Sequence, residues 1–186
     1  MLAYGAHWQD DRSTMFTLVK DEPDQHLYRY RSLLLNIHWD ELRLVHLNSI
    51  AAACESVIKE CGSMTSIVIM RGGVNVDLST EARRAIADMM PRFDRHNRAQ
   101  AVVIEADGFM ASLARSVITG INLVARNRAN QKVFQSSEEA TRWLLELPTQ
   151  PTDLRGSFVT LWPYVERLLR ERSRSATASP RIAPRA

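Results

Sequence analysis

Hydrophobic and polar positions along this chain follow two rhythms, one alternating or unbroken, the other recurring every three to four residues. Residues 15–19 and 26–31 alternate, with Tyr28 and Tyr30 each followed by an arginine, Arg29 and Arg31. Asp21-Glu22-Pro23-Asp24 separates them. Proline presets φ and aspartate bonds nearby backbone, so a turn, and with it a hairpin, is predicted there. Leu33-Leu34-Leu35-Asn36-Ile37 is a more buried strand, either separate from 26–31 or continuous with it. From 40 to 61 the rhythm turns helical. Leu44, Leu47, Ile50, Ala51, Cys54, Ile58 and Cys61 fall on one face, with Asp40 as N-cap and Gly62 past the end.

Ser66-Ile67-Val68-Ile69-Met70 and Ala101-Val102-Val103-Ile104 are unbroken apolar runs, as expected of strands covered on both faces. A helix capped by Ser79 lies between them, with Ala82, Ala85, Ile86, Met89 and Phe93 inward and Pro91 shortening or kinking it. A long amphipathic helix starts near Gly108, and Gln131-Lys132-Val133-Phe134 is a short strand near an edge. Ser136 and Glu139 have the spacing of a capping box, opening a helix with Ala140, Trp143, Leu144 and Leu147 inward.

Strands and helices in this order predict an α/β layered domain over residues 14–147 with a mixed, mostly parallel central sheet. Residues 1–13 are expected as a flexible leader and 148–158 as a proline-containing linker. A C-terminal amphipathic helix is expected over 159–173, with Pro163 in its first turn. Residues 174–186 lack apolar mass and are expected to form a disordered basic tail. The C-terminal helix is free to dock on its own domain, on a second copy or on a partner.

The chain has 186 residues, 45% hydrophobic and 24% charged, enough for one domain with a core. Its net charge of +3 is unevenly placed. Residues 170–186 hold five arginines against one glutamate, so the rest of the chain carries a net −1. A nucleic-acid-binding domain should carry its surplus on the folded part, so no nucleic-acid partner is expected. Cys54 and Cys61 would sit about 10 Å apart along one helix, too far for a disulfide. Two free thiols and no basic-then-apolar leader predict a cytoplasmic protein. No apolar run reaches the roughly 18 residues of a membrane span.

Candidate chemistry is sparse. On the helix after Gly108, Phe109, Met110, Leu113, Val117, Gly120, Ile121 and Val124 share one side. Arg115, Thr119, Asn122 and Arg126 share the other, as a contact surface for an acidic partner or as a solvated face. Glu105 and Asp107 flank the turn at a strand's carboxyl end, where open α/β sheets bind ligands. Asp107 doubles as an N-cap, and no third ligand is near in sequence. Arg71-Gly72-Gly73 lacks the lysine of a phosphate loop. The five histidines are scattered, and no nucleophile elbow is present. No catalytic, cofactor-binding or metal residues are assigned, and no cofactor is expected.

The motifs Gly108-Phe109, Ala114-Arg115-Ser116-Val117, Gly120, Arg126, Val133-Phe134 and Glu139-Ala140-Thr141-Arg142-Trp143-Leu144 together resemble an uncharacterised branch of the bacterial SpoIIAA-like proteins of the STAS type (STAS/SEC14-like). The resemblance covers roughly residues 15–147. It implies a STAS layered fold and a non-enzymatic regulatory domain that binds a protein partner, as anti-sigma-factor antagonists do. In those proteins a serine at the start of the second helix is phosphorylated. Here that place reads Val76-Asp77-Leu78-Ser79-Thr80-Glu81, so Ser79 and Thr80 become the implied phosphorylation or partner site. Leu78 interrupts the family motif, and Glu81 replaces its glycine. A homo-oligomer and a small-ligand or lipid-binding module at the strand ends are the other partner classes in view.

Overall fold

The computed structural model describes residues 15–71, 75–76, 80–105 and 130–178. The helix expected after Gly108, the leader, and the turns containing Gly72, Gly73 and Ser79 lie outside the described residues.

The expected hairpin is present. β1 (Thr17–Asp21) and β2 (Gln25–Tyr30) pair antiparallel about the Asp21–Asp24 turn. β3 (Leu33–His38) is a separate strand, also antiparallel to β2. Arg31, with φ 54°, turns the chain tightly between them. Beyond β3 come β4 (Glu41–Leu42), α1 (Leu44–Cys61), β5 (Met64–Met70), β6 (Asn75–Val76), α2 (Thr80–Phe93) and β7 (Asn97–Ile104). β8 (Asn130–Phe134), α3 (Ser137–Glu146) and α4 (Phe158–Ala178) complete the described chain. The main sheet runs β1-β2-β3-β5-β7-β8, with β3, β5, β7 and β8 mutually parallel. β4 and β6 form a two-residue parallel bridge of their own. This is the mixed, mostly parallel α/β layered architecture expected.

Strand alternation sends two sets of side chains to opposite faces. Leu33, Leu35, Ile37, Ile67, Ile69, Ala101 and Val103 form a dry face, packed against Ala140, Leu144 and Leu145 of α3 and Leu161 and Val165 of α4. Leu27, Leu34 and Met64 meet Ala53, Cys54 and Val57 of α1 and Phe93 of α2 on the other face.

Several boundaries differ from the sequence reading. α1 starts at Leu44 with Arg43 as N-cap, not Asp40, because Glu41–Leu42 is drawn into the bridge with β6. Its buried face is His46, Leu47, Ala53, Cys54 and Val57, and Cys61 is exposed. Gly62 does close the helix, at φ 74°. Pro91 lies inside α2, which continues to Phe93. Ser136 caps α3 by accepting the Glu139 N–H at 3.3 Å.

The segment 148–158, expected as a proline-containing linker, is anchored at Gln150, Leu154 and Phe158 and otherwise mostly exposed. Leu154 is fully buried in the core, and Gln150 accepts the Thr65 hydroxyl at 2.9 Å. α4 packs on its own domain through Leu161, Val165, Leu168 and Leu169. It begins one residue earlier than expected and runs through Ala178, five residues into the segment expected as a tail. Pro163 therefore sits inside the helix rather than in its first turn. Among the described residues no helix is long and apolar enough to cross a membrane.

Candidate functional site: the carboxyl edge of the parallel strands

β3, β5 and β7 end flush. His38 pairs with Met70, and Met70 with Ile104. The ladder continues one residue further: Arg71 N–H donates to the His38 carbonyl at 3.0 Å and Glu105 N–H to the Met70 carbonyl at 2.9 Å. This register brings Arg71 and Glu105, 34 positions apart, to one edge. Arg71 Nη1 lies 2.6 Å from Glu105 Oε2, and its guanidinium stands 5.7 Å from the Trp39 ring centre. The Ser137 hydroxyl, in the first turn of α3, donates to Glu105 Oε1.

These groups border an open depression of about 640 Å³ between the strand ends, the start of α3 and one side of α4. Half-buried Trp162 and buried Leu169 supply its apolar part, and Trp162 stacks on Phe158 at 6.1 Å. Its charged lining is internally matched. Arg71 pairs with Glu105, Arg170 with Glu166, and Glu138 with Arg142.

A second cluster ties the hairpin turn to the start of α1. His46 is fully buried, and its Nε2 lies 3.1 Å from Asp24 Oδ1 and 3.6 Å from Glu22 Oε2. Its Nδ1 accepts the backbone N–H of Arg43 at 3.1 Å, and the Arg43 guanidinium pairs with Asp24 Oδ2. Burial raises the Asp24 pKa, but its own backbone N–H, His46 and Arg43 outweigh that and hold the carboxyl below its ordinary value.

Glu22, Asp24 and His46 offer three ligand atoms within 4.8 Å of one another. The hydrogen bonds do not fit a metal. A neutral imidazole whose Nδ1 accepts an N–H carries its proton on Nε2, the nitrogen a cation would need. Arg43 already supplies the positive charge beside Asp24. The cluster is a hydrogen-bonded clamp.

His38 extends this polarity inward. Gln25 Nε2 donates to Asn36 Oδ1 at 3.0 Å, so Asn36 presents its amide N–H to His38 Nε2, also at 3.0 Å. Burial, with a smaller contribution from His46 and some opposition from Asp24, lowers the His38 pKa to about 3. The ring is neutral at physiological pH.

Of the residues singled out from sequence, Glu105 stands at this edge and Thr80 is exposed at the first position of α2. Ser79, Asp107, Arg115, Thr119, Asn122 and Arg126 lie outside the described residues. In the sequence Arg71 belongs only to an incomplete phosphate loop, and its pairing with Glu105 depends on strand register. The His46–Asp24 contact spans 22 residues, and no local motif marks it.

No protein-family model and no curated protein matches the chain. Among solved structures, the chain is similar to an uncharacterized protein of the DUF3478 family from Shewanella loihica PV-4, described as having a SpoIIAA-like fold. The two are 14% identical over 69% of this chain and 91% of that one, with a TM-score of 0.46.

Proposed function

We propose that this is a non-enzymatic regulatory domain that binds a protein partner at the carboxyl edge of its parallel strands. The observation that carries this reading is the composition of the depression there. Trp162 and Leu169 form an apolar centre, and the surrounding charges are already paired with one another. An apolar centre within a polar, charge-matched rim is the anatomy of a protein interface. Glu105 has one oxygen engaged by Arg71 and the other by Ser137, which suits a structural carboxylate better than a general base. The family resemblance adds Ser79 and Thr80 as the regulatory part of the partner surface and the Arg115, Thr119, Asn122 and Arg126 strip as a further contact.

A photo-crosslinking residue at Glu138, in cells that make the protein, tests this. The expected outcome is one dominant crosslinked protein, lost when Glu166→Lys unbalances the rim. Absence of a discrete adduct, or an adduct indifferent to Glu166→Lys, would overturn it. A mass shift of about 80 Da on Ser79 or Thr80 in protein from the same cells would establish the phosphorylated site.

A second reading, a small-ligand module at the same edge, is favoured by volume alone. The 640 Å³ depression falls within the range of small-molecule sites. It predicts a saturable thermal shift with a lipid, nucleotide or metabolite, abolished by Trp162→Ala.

A further inference from the structure

The amino ends of the parallel strands hold their charge differently from the carboxyl edge. Four connections of the described chain meet there. Thr65 N–H donates to the Ser32 carbonyl at 2.9 Å, which joins the β2–β3 turn to the start of β5. Met64 N–H donates to the His96 carbonyl at 2.8 Å, which joins β5 to the α2–β7 connection. Arg98, on β7, donates through Nε to the Ser63 hydroxyl at 2.8 Å and through Nη1 to the Thr149 carbonyl at 3.1 Å, reaching the α3–α4 connection. Residues far apart in sequence thus form one continuous surface.

Its arginines fall into two groups. Arg29 pairs with Glu60 at 2.7 Å and Arg31 with Asp153 at 3.0 Å. Arg95, Arg98 and Arg155 are exposed and, among the described residues, bond only to uncharged groups. Arg95 Nε donates to His96 Nε2 at 3.0 Å, and His96 Nδ1 donates to the Gly62 carbonyl at 3.1 Å. Arg155 Nη1 donates to the Pro148 carbonyl at 3.5 Å, next in the chain to the Thr149 carbonyl that holds Arg98. Two pairs of adjacent anchors, Gly62 with Ser63 and Pro148 with Thr149, therefore set the three guanidiniums in a row with Arg98 in the middle. Arg98 lies in a strand and Arg155 in a loop, so the pull of a helix C-terminus on cations does not account for them.

Neutral anchors fix these guanidiniums without cancelling their charge. A guanidinium has about five N–H donors. The anchors use one in Arg95, two in Arg98 and one in Arg155. Each side chain is already ordered, which lowers the entropy lost when a charged group docks. The complement of such a row is a series of carboxylates, which arginine takes as forked pairs. Glu60, Asp94 and Asp153 lie on the same end of the sheet. A phosphate backbone or an anionic lipid surface, charged throughout, would meet those acids too, whereas a peptide can hold its carboxylates at intervals. We propose that the amino end of the sheet is a docking surface for an extended acidic segment of a protein partner, its carboxylates on Arg95, Arg98 and Arg155. The surface lies at the opposite end of the strands from the depression and does not depend on its role.

Titration of the full chain with a peptide alternating glutamate and glycine, followed by backbone amide chemical shifts, tests the proposal. The same peptide with glutamine for glutamate, oligothymidylate and phosphatidylglycerol vesicles are compared at equal ionic strength. Saturable shifts centred on Arg95, Arg98 and Arg155 are expected with the glutamate peptide, none with the glutamine peptide, and weaker binding of the two phosphate probes. Arg95→Ala and Arg155→Ala should each weaken peptide binding about threefold. Lys20→Ala, which removes a cation paired with Glu22 at the other end of the sheet, should leave it unchanged. The comparison of the four probes on the unaltered protein does not depend on these variants. Shifts that do not saturate, equal shifts with the glutamine peptide, shifts confined to the arginine-rich residues 170–186, phosphate probes binding as tightly as the peptide, or indifference to both arginine variants would overturn the proposal.

Discussion

His46 Nε2 lies 3.1 Å from Asp24 Oδ1, so the first turn of α1 is fastened to the turn between β1 and β2. Neither group has water to fall back on. His46 is fully buried and Asp24 is 8% exposed. Removing one partner strands the other, at a cost of about 1–3 kcal/mol. His46→Ala and Asp24→Asn should each lower the urea midpoint accordingly. The double variant should lose less than the sum of the two, because they share one interaction.

The same geometry predicts indifference to zinc. Nε2 carries the proton that faces Asp24, and Arg43 occupies the other carboxylate oxygen. Added zinc should leave the thermal midpoint unchanged. A saturable rise that disappears in His46→Ala would show that the imidazole can release that proton to a metal.

Acid should destabilise the fold in two overlapping stages. The His38 pKa falls from 6.5 to about 3 on folding, chiefly through burial. The unfolded chain therefore takes up a proton below 6.5 that the folded one refuses. His38 allows full stability above that pH and costs up to about 1.4 kcal/mol per pH unit as pH drops toward 3. Asp24, held below its ordinary 3.8, adds stability present above that value and lost as pH falls through the folded pKa. Urea midpoints measured from pH 8 to pH 3 should slope downward from about 6.5, and His38→Asn should flatten the upper part. A midpoint that stays level between pH 7 and 4 would contradict a buried neutral His38.

Gly62 ends α1 at φ 74°, with nothing within 4 Å of the place a Cβ would occupy. Any penalty for Gly62→Ala is therefore backbone strain, about 1–2 kcal/mol. Gly62→Asn should lose less, since asparagine tolerates that region better. Equilibrium unfolding of the two variants separates them.

α4 belongs to the domain core. Leu161 is fully buried among residues of the dry face and α3. Leu161→Ala should cost about 2–5 kcal/mol. A chain ending at Leu147 should fail to unfold cooperatively, because it leaves that face uncovered. A truncated chain with a sharp transition would show that residues 14–147 fold without α4.

The strands were readable because their apolar runs are long and their register leaves little choice. Leu33, Leu34, Leu35, Ile67 and Ile69 are buried on one face of the sheet or the other, and Val68 is half-buried. The capping box at Ser136 and Glu139 was readable because it acts within one turn. What escaped was set by distant partners. Asp40 resembles an N-cap, yet β6 holds the preceding residues extended and moves the helix start to Arg43. Leu154 sits in a segment rich in turn residues, and only the folded core gives it a place to be buried. The candidate edge was legible as a location, from Glu105 at the end of a strand. Its composition was not, because Arg71, Ser137 and Trp162 arrive from three separate elements.

The unequal faces of the sheet also set an order of loosening. The α3–α4 side is held by a larger apolar cluster, which is expected to open only with the whole domain. The α1–α2 side mixes a smaller apolar cluster with buried polar groups, Asn36 and Ser66 among them, that gain hydration when it lifts, so part of the cost of parting is returned. Backbone amides of α1 should therefore exchange with deuterium through a local opening. Those of α3 should wait for global unfolding, making one side of the molecule yielding while the other keeps the fold.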